Sequence, residues 1–508
     1  MSKLTVKMKE NEYWYGLCVD DGIHFPLSAQ SQYSKDHRVN QTNNQINPIL
    51  ISSAGRYVWC EYGFKIETAD GMMNLQSDKG DFILEDGFNT LKKAYLAASK
   101  RFFPSNKVAP PSLFFEKPQY NTWIELIYNQ NQEDILKYAD SIINQGYPTG
   151  ILMIDDGWSE YYGSWRFNKR KFPDAKTMVE KLHEKGFRVM LWTCPFISPD
   201  TVEFKCLEAE GCLVKNKDGT TAIRQWWNGY SAVLDFTNPG AVEWYTKQNQ
   251  ELIAQYKIDG FKFDAGDGKF YKDDDITFLP ANANRQNELW ALYGLNYKYN
   301  EYRSCFKGAG LPLVQRLADK NHSWGENGVA TLIPNHLTQG ISGYAYTCPD
   351  MIGGGEYMNF LENSDRLDEE LFVRYAQCAA LMPMMQFSAA PWRVLSEENN
   401  RICREMAKLH VKYREYIYQL AEQAKNFGEP ITRYMEYEFP GEGFEQVKDQ
   451  FMLGDKILVA PVCKKGQSRK TVLLPKGRWK YIDGTIYEGK KIIEVNAPIS
   501  ILPYFERC

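Results

Sequence analysis

The sequence has few histidines, and they are not spaced to hold a metal. Its 6 histidines form no HxxxH or HxH pair and its 11 cysteines form no CxxC pair, so no structural zinc site is expected. The cysteines are scattered and odd in number, which reads as reduced thiols rather than a disulfide framework. An excess of basic charge is also absent. The 60 Lys and Arg face 64 Asp and Glu, for a net charge of −4, which argues against a general nucleic-acid binder. No apolar run approaches the length needed to span a bilayer. The opening MSKLTVKMKENEYW has no apolar core of a secretion signal, so a cytoplasmic protein without a membrane partner is expected. There is no low-complexity segment and no short-period repeat.

The chain does have length and rings. Its 508 residues suit about two to four domains, and 44% hydrophobic residues can bury a large core. Aromatics make up 14%, with 13 Trp and 32 Tyr. Flat rings stack on the C–H faces of sugars, but they also fill large cores, so this richness does not choose between the two.

The rhythm of the chain changes twice. Up to about residue 105, short alternating runs such as GRYVWCEYGFKIE (55–67) and GDFILEDG (80–87) read as antiparallel strands, and SNKVAPPS (105–112) reads as a linker. Apolar strands then alternate with helical patterns. TWIELIY (122–128), TGILMIDD (149–156), FRVMLWT (187–193) and DGFKFDA (259–265) read as strands, and the stretches between them as helices. Repeated β–α units over some 300 residues predict a parallel (β/α)₈ barrel. After a helix over 400–423, DKILVAPV and KTVLLPKGRWKYI return to strands. The expected fold is therefore α/β: a TIM barrel over 117–425, flanked by an N-terminal β-sandwich over 1–116 and a C-terminal β-sandwich over 426–508.

Barrel enzymes carry their chemistry at the C-terminal ends of the strands. Here those ends bear Asp155 and Asp156 after ILMI, Trp192 after VML, Lys262 and Asp264 in FKFD, and Asp350 after GYAYTCP. Residues i and i+2 of a strand share a face, so Lys262 and Asp264 enter one space while Phe261 and Phe263 pack behind. One such pair could be a structural ion pair. Several ionisable groups at one mouth point instead to a polar pocket.

Longer segments carry a resemblance. PITRYMEYEFPGEGFEQVKDQFMLGDKILVAPVCKKGQSRKTVLLPKGRWKYIDG (430–484) and WWNGYSAVLDFTNPGAVEWY (226–245) resemble glycoside hydrolase family 31, and the likeness runs from about residue 12 onward. It implies a retaining α-glycosidase acting on an oligosaccharide or glycoside, with no cofactor and no metal. Asp264 matches the nucleophile. RSCFKGAGLPLVQRLAD matches the family's Arg–x₂–Phe–x–Gly motif with an Asp sixteen residues past the Arg. That likeness makes Arg303 a ligand of substrate hydroxyls and Asp319 the acid/base. Lys262 before the nucleophile and Ala265-Gly266-Asp267 after it depart from the common form. They look like the subgroup that holds the animal myogenesis-regulating glycosidase and bacterial α-galactosidases. The last barrel strand, MPMMQFSAAPW (382–392), lacks the Arg-Asn-His of family α-glucosidases.

IDDGW (154–158) and the Lys-x-Asp also resemble the aspartate pair and lysine with which clan-related α-galactosidases read galactose hydroxyls. The expected activity is therefore an exo-acting α-galactosidase, with Asp155, Asp156, Trp192, Trp227, Lys262, Arg303, Trp324 and Asp350 binding substrate. An α-glucosidase, an α-xylosidase, an α-N-acetylgalactosaminidase and a catalytically silent glycan-binding protein are the alternatives. Homo-oligomerisation stays open.

Overall fold

A computed structural model describes all 508 residues. Its centre is a six-stranded parallel sheet. The strands that build the site are β1 (Gln119–Asn121), β2 (Ile151–Ile154), β3 (Arg188–Thr193), β4 (Gly260–Phe263), β5 (Tyr299–Glu301), β6 (Gln315–Arg316), β7 (Thr347–Cys348) and β8 (Gln386–Phe387). The sheet runs β5-β4-β3-β2-β1-β8. β6 and β7 form a separate parallel pair. Single parallel bridges, Tyr302 to Gln315 and Ile352 to Phe387, link that pair to the two ends of the sheet. Every residue of β2 and β4 is buried, as expected of parallel strands covered on both faces. Helices such as α1 (Gln132–Asn144), α2 (Ala175–Glu184) and α3 (Pro239–Tyr256) return the chain between strands. Each starts at an Asn or Asp whose side chain caps a free backbone N–H.

The first 90 residues form a four-stranded antiparallel sheet and a second sheet built on Gln45–Ser52. Cys305–Phe306, from the segment between β5 and β6, joins this second sheet in parallel with Gln45–Ser52. The N-terminal layer thus grips the segment that carries Arg303. Beyond the barrel, strands from Thr432 to Arg507 form a six-stranded sheet and a two-stranded ribbon. No helix is long and apolar enough to cross a membrane.

Three local readings change. TWIELIY is not a strand: the strand is Gln119–Asn121, and Trp123–Leu126 is a helical turn that begins where Asn121 Oδ1 takes the Trp123 N–H. A helix, Leu91–Phe102, follows the last N-terminal strand, Phe82–Glu85; its buried Leu91, Ala94, Tyr95 and Ala98 follow helical spacing, and Thr90 caps it. The helix expected over 400–423 is two helices, Glu397–Lys412 and Arg414–Phe427, which meet at Tyr413.

Candidate active site

At the C-terminal ends of these strands lies a cavity of about 210 Å³. Asp155, Asp156, Trp192, Trp227, Lys262, Asp264, Arg303 and Asp319, eight of the ten residues expected there, line it. Trp324 and Asp350 do not. Trp324 donates to Asp368 Oδ2 at 2.9 Å. Asp350 is fully buried behind the wall.

Asp264 follows the last residue of β4, and its N–H donates to Thr193 O at 2.8 Å. Behind it Phe263 is enclosed by Trp290, Tyr293, Tyr297 and Tyr302, which fixes the strand end. The chain then turns at once through Ala265 (φ +56°) and Gly266 (φ +69°). A Cβ on Gly266 would lie 2.3 Å from Trp290, so only glycine fits that turn. Asp264 Oδ1 accepts from Arg303 Nε at 2.6 Å and from the Ala265 N–H at 2.7 Å, and Oδ2 accepts from Trp192 Nε1 at 2.9 Å. Burial alone would raise this carboxyl. The charges of Arg303, Lys262 and Arg316, with the Trp192 hydrogen bond, outweigh it and hold Asp264 far below the usual carboxylate range. The rest of the Arg303 fork closes on Asp267, at 2.6 and 3.0 Å.

Lys262 is in register with Trp192 on β3 and donates to Asp155 Oδ2 at 2.6 Å. Burial opposes the charge on Lys262, but Asp155, Asp264 and Glu301 leave the ammonium held above its ordinary value. Asp156 has a different environment. Its Oδ2 accepts from Asn228 Nδ2 at 2.6 Å and Tyr162 OH at 3.1 Å. Its Oδ1 is buried with no partner. Burial and the neighbouring Asp155 push it up to about 7.

In the same cavity, Asp319 keeps 37% of its side chain exposed and accepts from Arg316 Nη1 at 2.7 Å. The segment bearing Arg303 and Asp319 is pinned from the N-terminal layer. Gln45 Nε2 donates to Arg303 O at 2.7 Å and Arg316 O at 2.9 Å, Asn44 Oδ1 accepts from the Ala318 N–H at 2.8 Å, and Asn43 O accepts from Arg303 Nη1 at 3.0 Å. Trp227, 43% exposed, lies over the Arg303 guanidinium at 5.3 Å.

The sequence reading missed Asn43, Trp123, Lys269, Glu356 and Tyr357 in the lining. Asn228 was in view within WWNG, but its contact with Asp156 spans 72 residues and no short motif carries it. It also missed one cluster outside the cavity. Cys18, Asp21 and His37 bring ligand-type atoms within 4.8 Å of one another. Asp21 and His37 there are already engaged with Tyr33 OH, at 2.7 and 3.1 Å.

Known proteins resemble this chain in sequence and fold. The model of the glycosyl hydrolases family 31 TIM-barrel domain matches residues 115–420, and that of the family 31 C-terminal domain matches 428–508. The myogenesis-regulating glycosidase of Mus musculus is 31% identical over 414 residues, 79% of this chain and 57% of that protein. Alpha-glucosidase 2 of Bacillus thermoamyloliquefaciens is 24% identical over 408 residues, 74% of this chain and 50% of that protein. The chain therefore spans about half the length of the curated relatives it matches. The Flavobacterium johnsoniae GH31 dextranase complexed with glucose superposes with a TM-score of 0.86 at 21% identity, covering 99% of this chain and 66% of that one.

Proposed function

The chain belongs to glycoside hydrolase family 31, and on that premise we propose that it is a retaining, exo-acting α-glycosidase that removes terminal α-linked galactose. One observation carries the reading. A carboxylate held ionised by three cations and an indole N–H, Asp264, shares a cavity with a second aspartate, Asp319, on a separate segment. Asp264 Oδ attacks the anomeric carbon, the C1–O bond to the leaving group breaks, and Asp319 gives its proton to the departing oxygen. Asp264 is now an ester. Asp319, now a carboxylate, takes a proton from water, whose oxygen attacks C1 from the opposite side and frees Asp264. Two inversions leave the α configuration. In this reading the eight parallel strands form one (β/α)₈ barrel over 117–425 between flanking β-domains; the Tyr302–Gln315 and Ile352–Phe387 bridges support it.

The galactose assignment rests on Asp156. Its free, buried Oδ1 is an acceptor waiting for a hydroxyl, beside Asp155 and Lys262. Glucose would leave such a group unpaired. A lost buried hydrogen bond costs about 1–3 kcal/mol, so two give on the order of a hundredfold in kcat/KM. The test is kcat/KM on 4-nitrophenyl α-galactoside against the α-glucoside, α-xyloside and α-N-acetylgalactosaminide. The galactoside should lead the glucoside by about a hundredfold, and Asp156→Asn should narrow the gap. A wild-type preference for the glucoside overturns the sugar assignment and leaves the two catalytic aspartates standing.

A further inference from the structure

Behind Asp319, three carboxylates surround one guanidinium. Arg316 is 1% exposed, and its Nη1 donates to Asp319 Oδ1 at 2.7 Å, to Asp350 Oδ1 at 2.8 Å and to Leu317 O at 2.9 Å. Arg316 Nε lies 3.3 Å from Glu301 Oε1. Lys262, which also pulls on Glu301, is committed to Asp155. Asp350 cannot turn away. Its Oδ2 accepts the Lys320 N–H at 2.6 Å and the Gly355 N–H at 2.8 Å. A Cβ on Gly355 would lie 2.6 Å from Asp350 Oδ1, so the close approach of that backbone needs glycine. The only guanidinium bonded to these carboxylates is shared among three of them, a crowding that favours a retained proton.

We propose that Asp319 and Asp350 hold one proton between them across Arg316 Nη1, with two positioning residues: Asp350, which keeps the proton on Asp319, and Arg316, which stabilises the carboxylate left after donation. This rests on the reading of Asp319 as acid/base and deepens it. When Asp319 passes its proton to the glycosidic oxygen, the new carboxylate is already bonded to Arg316. When water later returns a proton, Asp350 competes for the same Nη1 and favours the protonated form of its neighbour. No co-reactant is needed, because the proton lost in the first step is regained in the second. The same crowding shows in Asp350, which burial and the nearby Asp319 push up to about 7, and in Glu301, which burial raises against the pull of Arg316 and Lys262. The other groups facing the cluster are Asp264, Arg303, Lys320, Cys348 and Tyr375.

The experiment is the pH profile of kcat/KM for wild type, Asp350→Asn, Arg316→Lys and Asp319→Ala, each on an alkyl and a dinitrophenyl α-glycoside of one sugar. Asp350→Asn removes the competing charge, so the proton leaves Asp319 earlier and the alkaline limb should move down by about one pH unit on the alkyl substrate. Arg316→Lys loosens the hold on both carboxylates and should move that limb up. The acid limb, set by Asp264, should stay in Asp350→Asn. The dinitrophenyl substrate, whose leaving group needs no proton, should lose far less. Limbs that do not move, or equal losses on both substrates, overturn the inference. Asp319→Ala separates the two levels. If it penalises only the alkyl substrate while Asp350→Asn leaves the limb in place, the acid/base reading survives and this inference alone fails. If it penalises both equally, both fall. Should Asp350→Asn not fold, the upward shift in Arg316→Lys decides alone.

Discussion

The two walls of the cavity use the same residue type in opposite electrical settings. At the end of β4, Asp264, Asp267 and Asp155 meet two cations, Arg303 and Lys262, and the Trp192 and Ala265 N–H groups add hydrogen bonds. Around β6, Asp319, Asp350 and Glu301 meet one cation, Arg316. Both settings are largely buried, so burial does not separate them. The ratio of directly bonded cations to carboxylates does. The rich wall holds Asp264 far below the usual carboxylate range, and the poor wall pushes Asp350 and Glu301 up, as the proposed roles of nucleophile and acid require.

The comparison can be broken most severely at its rich side. Asp264→Ala should cut kcat by on the order of 10⁴ or more while circular dichroism stays native. External azide should restore turnover as the β-azide, since the small anion enters from the vacated face. Asp319→Ala should cost about 10²–10⁴ on poor leaving groups and little on activated ones, with azide giving the α-azide. Arg303→Lys thins the donors around Asp264 without removing the charge. Asp264 sits below its ordinary value because of Arg303, so weakening that partner raises it. The ionised nucleophile is then lost at a higher pH, and the acid limb of kcat/KM should move up with the alkaline limb unchanged. Gln45→Ala should have the smallest effect and the least selective one. It strips one donor from both Arg303 O and Arg316 O, so thermal unfolding should show a loss of about 1–3 kcal/mol, with both limbs in place.

What the sequence made legible follows the range of the interactions involved. β2 and β4 are apolar throughout, and their polar ends come directly after, so ILMIDD and FKFD announce both the strands and the side chains at their mouths. The ten expected site residues came from such ends and from family-like segments, and eight meet in one cavity. The charge balance was not legible. Nothing in the sequence singles out Arg316 until folding brings Glu301 and Asp350 against it from 15 and 34 positions away. The N-terminal clamp is further still: Gln45 reaches Arg303 across 258 residues. TWIELIY misled because its β-branched and aromatic residues suit a strand, while Asn121 locally favours the helical turn. Trp324 misled because nothing near it in sequence reveals Asp368 as its partner.

The central claim is that Asp264 is the ionised nucleophile of a double displacement. It is tested most directly by trapping the enzyme with a 5-fluoro α-glycosyl fluoride of the preferred sugar, followed by intact-mass analysis and peptide mapping. The account predicts one fluorosugar adduct per chain, on the peptide containing Asp264, absent in Asp264→Ala and lost with return of activity on standing. An adduct on another residue, or no adduct together with a β-configured first product, would contradict it.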